Sequence, residues 1–212
     1  VTIKVYDGGT VDKATILERV CAALEGDSLA AGREILRAEY RFVAVDKVNR
    51  RYSERQCLRI FFRDGFTDRY SGARLVHPGA LRALSLALPD DFPAHPNWAM
   101  SQTHIAFWEL FPSIDHVVPV SRRGVDNDTN WVTTSMLRNS AKAHWTLEEL
   151  NWTLRKPCGD CTEWDGLTGW FVRYVDRNPE IGANDYIRRW LAATKAVLAE
   201  RRQIALSTEA EN

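Results

Sequence analysis

Residues 113–124 read SIDHVVPVSRRG and set Asp115 beside His116 inside an apolar run. Ile114 precedes the pair, and Val117, Val118 and Val120 follow. The segment therefore reads as a short buried strand ending in a basic, glycine-bearing turn. Burying two ionisable groups without partners costs several kcal/mol or forces their pKa values to shift. A strand needed only for packing has no reason to carry them. Further polar residues follow at fixed intervals: Asn130, Asn139 and Lys142, with Arg122, Arg123 and Arg138 between them. A neutral imidazole such as His116 takes a proton from water near neutral pH. The carboxylate of Asp115 and the amide oxygen of Asn139 are hard ligands that suit magnesium or manganese. The cations Arg122, Arg123, Arg138 and Lys142 suit phosphate oxygens of a nucleic-acid backbone. Base, hard divalent ion and phosphate clamp together are what phosphodiester hydrolysis needs. Taken singly, each residue has a plainer explanation: an ion pair at a strand end, or a solvated basic face.

Positioning these groups requires a strand, a turn, a second strand and a helix. The run Asn130-Trp-Val-Thr-Thr is β-prone, and residues 136–144 carry a helical pattern. Thr146-x-x-Glu149 fits a capping box and starts a further helix. Upstream, Val11 to Leu24 and Ser28 to Tyr40 read as a helical pair, after a short strand TIKVY near the N-terminus. LRIFFRDGFTDRYSG from Leu58 reads as a strand and a turn, and Pro78-Gly79 opens another helix. Residues 89–97 are proline-rich and read as a loop, and the last clear helix spans about Asn184 to Gln203. His77 and His95 each precede a proline and read as loop residues. His104 reads as structural, and His144 either as a further ligand or as a packing residue beside Trp145.

The pattern D-H-V-V-P-V-S-R-R-G, then N-W-V-x-x-S-M-L-R-N-S-A-K, resembles the ββα-metal fold of HNH endonucleases. His116 matches that family's first histidine, Asn130 its central asparagine, Asn139 its third position in asparagine form, and Lys142 the lysine three residues on. The resemblance implies that His116 is the general base, that Asp115 and Asn139 hold the metal ion, and that Asn130 holds the loop carrying His116. FFRDGFTDRYSG is similar to the family's cysteine knuckle, but Asp68, Ser71, Ser135 and Arg138 stand at the four cysteine positions. No structural zinc is expected there, its place being taken by packing from Trp131, Trp145, Trp152 and their apolar neighbours. The expected fold class is α+β: a ββα-metal core over residues 61–155, an N-terminal helical extension over 1–60, and a C-terminal helical extension over 156–212 packed on the same domain.

The 212 residues suffice for a real hydrophobic core, and 45% hydrophobic with 26% charged residues is ordinary for a globular protein. A formal net charge of zero argues against non-specific coating of nucleic acid while leaving room for local basic patches. No apolar run approaches the roughly 18–20 residues of a membrane span, and VTIKVYDGG lacks a signal peptide's apolar centre, so a cytoplasmic protein without a membrane partner is expected. Cys21 and Cys57 read as small core residues. Cys158-x-x-Cys161 has metal or redox spacing, but a zinc site there would have to recruit histidines from elsewhere. The expected activity is metal-dependent cleavage of DNA, with a role in restriction or defence. Concerted cutting of both strands would require a homodimer. The competing expectation is a catalytically silent module that keeps the fold and binds DNA or another partner.

Overall fold

Two short segments pair into one antiparallel ribbon in the computed structural model, which describes residues 13–42, 51–157 and 164–210. Strand β1, Pro112–His116, pairs with β2, Trp131–Ser135, so that Asp115 lies opposite Val132 and His116 opposite Trp131. Among the described residues this is the one named sheet, and everything else regular is helical; the class is α+β. No helix is long and apolar enough to cross a membrane.

The chain divides into the units Val1–Asn49 and Arg50–Asn212. In the first, α1 (Lys13–Glu25) and α2 (Leu29–Glu39) form a hairpin. Ser28 caps α2 by accepting from Ala31 N, and Arg19 pairs with Glu39 at 2.6 Å. Cys21, expected in a core, is exposed here, because the hairpin buries only the Ile16 and Val20 stripe of α1. The expected strand TIKVY and the pair Cys158 and Cys161 lie outside the described residues.

The second unit opens on a correction. Residues 54–63, read in part as a strand, form the helix α3, Glu54–Arg63. The signal was present upstream: Ser53 and Gln56 make a complete capping box, and Leu58 and Phe61 fall three apart on one buried face. Three consecutive apolar residues, Ile60, Phe61 and Phe62, imitate a strand locally. The expected boundary after residue 60 falls inside this helix, which belongs to the unit beginning at Arg50. The long C-terminal helix α10 (Asp185–Ala210) packs on α3 and on α4 (Pro78–Ala87), while α4 also packs on α8 (Thr168–Arg177). The core between them holds Leu58, Phe61, Phe66, Leu81, Phe171 and Ile187. Gly79 is needed for the α4–α8 approach, since a Cβ there would sit 2.5 Å from the Phe171 ring. The turn α9 (Pro179–Gly182) links α8 to α10, and α5 (Ala106–Glu109) leads into β1. The partly buried Cys57 packs against this core, and burial pushes its thiol up to about 12.

His77 lies just outside the helix, as expected of a loop residue, but it is fully buried and caps α4. Nδ1 accepts from Gly79 N at 2.9 Å, Nε2 meets the Thr194 hydroxyl at 2.9 Å, and the ring stacks on Phe171 at 4.7 Å. Full burial pulls its pKa down to about 3 from the ordinary 6.5, so the folded protein holds it neutral. The unfolded chain then binds the extra proton between those values. Stability is complete above pH 6.5 and is lost as pH falls towards 3. Urea titrations should show the parent losing roughly 1–2 kcal/mol between pH 6.5 and 5 that His77→Gln does not lose; equal slopes for the two proteins would contradict a neutral buried imidazole.

Candidate functional site

The ribbon and α6, Met136–Lys142, form a strand–strand–helix unit because β2 runs directly into the helix. Ser135 ends β2 and caps α6 by accepting from Arg138 N. Asp115, His116 and Asn139 come together: all three line one cleft of about 220 Å³ with Tyr52, Ser121 and His144.

Each of the three groups is held on one side and open on the other. Asp115 is 5% exposed, and its Oδ2 accepts from the Tyr70 hydroxyl at 2.6 Å and from Lys142 Nζ at 3.0 Å. Burial and the neighbouring carboxylate push the Tyr70 pKa well above its ordinary value, so the phenol stays a donor. Oδ1 of Asp115 takes no hydrogen bond among the described residues. Asn139 Nδ2 donates to Ser113 Oγ at 3.0 Å and to the Ile114 carbonyl at 3.1 Å, which fixes the amide and leaves Oδ1 as the free acceptor. His116 Nε2 faces Asp126 Oδ1 at 2.7 Å, leaving Nδ1 without a protein partner among the described residues.

Asp126 is the residue that reading the sequence missed. Its Oδ1 also accepts from Trp131 Nε1 at 2.9 Å and from the Tyr52 hydroxyl at 3.0 Å. The His116 bond, with those from Trp131 and Tyr52, holds its carboxyl below the usual range. A carboxylate paired with Nε2 fixes that nitrogen as the protonated one and presents Nδ1 as the basic one. The position was hidden in the string VDND, where two acids flank one amide and spacing favours neither acid.

The loop between the strands is held by Asn130. Its Nδ2 donates to the carbonyls of Val118 at 2.9 Å and Val125 at 2.8 Å, and its Oδ1 accepts from Val118 N at 2.9 Å. Gly124 packs under this amide, and a Cβ there would lie 1.8 Å from Val118 O. The loop is therefore fixed just after His116.

The four basic candidates separate. Lys142 does not reach the surface: it is fully buried, bonding Asp115 and the His116 carbonyl at 2.7 Å, and so orients both groups from beneath. Arg138 lies 3.5 Å from Asp68 and 5.3 Å from the Trp152 ring, again inside the fold's own contacts. Arg122 is exposed and pairs with Glu149 of α7 (Leu147–Leu150), at 3.1 Å. Arg123 is exposed, in the left-handed region at φ 68°, with no ion pair among the described residues.

The positions of Asp68, Ser71, Ser135 and Arg138 converge, with one carboxylate at their centre. Asp68 is 1% exposed. Its Oδ1 accepts from the amides of Tyr70 at 2.9 Å and Ser71 at 3.0 Å, and its Oδ2 from Thr134 Oγ1 at 2.9 Å and Ser135 N at 3.0 Å. This replaces the expected tryptophan packing. Trp131 instead meets Tyr52 edge-on at 5.0 Å, and Trp145 is 39% exposed; only Trp152 lies at the cluster, 5.6 Å from Tyr70. Comparison with family models, curated proteins and solved structures returns no match for this chain.

Asp68→Ala strands four buried donors, and should destabilise the unit by roughly 3–5 kcal/mol in urea unfolding. Arg138→Ala removes a long, partly exposed ion pair and should cost about 1 kcal/mol. Equal costs for the two would mean that the ion pair, rather than the four hydrogen bonds, holds the cluster together.

Proposed function

We propose that this chain is a metal-dependent endonuclease of the HNH type that hydrolyses DNA phosphodiester bonds. The observation that carries this reading is the shared cleft in which an oxygen of Asp115, a nitrogen of His116 and an oxygen of Asn139 are each left over after their other atoms have been tied to the fold. Groups arranged only for packing would have all their polar atoms paired inwards.

The two free oxygens fit a hard divalent cation, magnesium or manganese. An ion held by Asp115 and Asn139 would complete its shell with water and phosphate oxygens, as magnesium commonly does. Bound there, the ion would supply charge neutralisation at the phosphate and the leaving oxygen. The protein's own steps follow from the geometry. His116 Nδ1 accepts the proton of the attacking water while Asp126 steadies the imidazolium through Nε2. Lys142 and Tyr70 keep Asp115 in place. Asn130 and Gly124 hold the loop so that His116 does not swing out. The exposed Arg123 is the basic candidate best placed to meet the DNA backbone. As the family resemblance implies, the products carry a 5′-phosphate and a 3′-hydroxyl.

Supercoiled plasmid incubated with magnesium or manganese should be nicked, and EDTA should stop the reaction. His116→Ala should lower the rate by about 10²-fold or more; a folded variant cutting at the parent rate removes the assigned base. DNA binding without cleavage by the parent under all metal conditions would favour the silent module instead. Asn139→Ala should move the magnesium midpoint up by about tenfold, the loss expected when one ligand contact worth ~1.4 kcal/mol disappears. An unchanged titration curve would take Asn139 out of the ligand set.

A further inference from the structure

The five histidines divide four to one. His77, His95, His104 and His116 each have a ring nitrogen hydrogen-bonded: to Gly79 N and Thr194, to Asn97 N, to Ala106 N, and to Asp126. His144 is exposed, and its ring makes no hydrogen bond or ion pair among the described residues. It nevertheless lines the cleft with Asp115, His116 and Asn139.

The backbone is strained to put it there. Ala143, the residue just before it, has φ 47° and ψ −115°, a conformation ordinarily left to glycine. A turn closes around it, with Ala143 N donating to Asn139 O at 3.0 Å and Trp145 N to Lys142 O at 2.9 Å. The Trp145 ring stacks on the imidazole at 5.4 Å and 20°. The turn begins at Lys142, whose ammonium bonds the His116 carbonyl, so the ends of β1 and α6 are tied together and each presents an imidazole to the same space. One imidazole is oriented by a carboxylate; the other is left unpaired. The titratable groups lining the cleft with His144 are Tyr52, Asp115 and His116, with the Lys142 ammonium buried beneath Asp115.

We propose that His144 is the second proton-transfer residue of the site and donates a proton to the departing O3′; this rests on the nuclease reading above. His116 takes a proton from water as the water oxygen bonds to phosphorus. The P–O3′ bond breaks with its electron pair on O3′, and the His144 imidazolium gives that oxygen its proton. The products are a 3′-hydroxyl and a 5′-phosphate. His116 then loses, and His144 regains, one proton by exchange with solvent.

The test compares two oligonucleotides, one ordinary and one with sulfur in place of the scissile O3′, both cut with manganese. A thiolate leaves without a proton. His144→Ala should slow the oxygen substrate by about 10²-fold or more and cut the sulfur substrate at close to the parent rate. Its DNA affinity in EDTA, measured by fluorescence anisotropy, should match the parent's. His144→Asn keeps a hydrogen-bond donor but cannot surrender a proton, and should behave as the alanine variant does. Equal slowing on both substrates, weakened binding that accounts for the loss, restored rate in the asparagine variant, or no slowing at all would each overturn the assignment. If the parent cuts neither substrate, the nuclease reading itself fails, and the proton donor with it.

Discussion

The site depends on two buried carboxylates that take the place of a third strand. A two-stranded ribbon is marginal by itself, and its outer edges present unpaired N–H and C=O groups. Along the outer edge of β2, Asp64 accepts from Thr133 N at 2.8 Å, Arg69 N donates to Thr133 O at 2.9 Å, and Asp68 accepts from Thr134 Oγ1 and Ser135 N. Asp64 is itself fully buried and is compensated by Arg63 and Arg69, at 3.0 and 2.8 Å. Burying acids this way is tolerable only where every lone pair is used and cations stand close by. Because Asp64 caps α3 and Asp68 follows it four residues later, the helix and the segment after it act as one clamp on β2. The register of β2 sets Trp131 opposite His116 and Asn130 at the root of the loop, and the positions of the cleft-lining Asp115, His116 and Asn139 follow from that register.

Much of this was legible in the residues. The two strands, the helix after them and the capping box at Thr146 rest on local signals, namely apolar runs, helical periodicity and cap chemistry, whereas Asn139 was singled out with Asp115 and His116 by the family resemblance. The long-range partners were not legible. Tyr70 reaches Asp115 across 45 positions, and Tyr52 reaches Asp126 across 74. Nothing in the periodicity of either segment points to the other. The helix α3 was misread for a different reason: the unbroken run Ile60, Phe61 and Phe62 imitates a strand, and the capping box that settles the matter stands before it. The burial of His77 was not legible either, because its partner Thr194 lies 117 positions away.

Cations also changed their meaning in three dimensions. Lys142 and Arg138 carry charges that a sequence assigns to the surface by default, yet both serve the interior. Lys142 ties a carboxylate and a backbone carbonyl together on the two ends that meet at the cleft. Arg138 lies flat against Trp152 beside Asp68. Of the four, Arg123 is left with neither a buried contact nor a counter-ion among the described residues. Two of the four cations are thereby neutralised within the fold, and the exposed positive charge of this set is carried by the loop residues Arg122 and Arg123.

The indole of Trp131 has a consequence of its own. Its N–H is 2.9 Å from Asp126 Oδ1 and 3.1 Å from His116 Nε2, so ring and imidazole share one acceptor. Whatever draws His116 away from Asp126, or adds a charge to it, must change the polarity felt by that indole. The protein thus carries an indole in hydrogen-bond contact with the His116–Asp126 pair, an intrinsic optical reporter seated beside that imidazole.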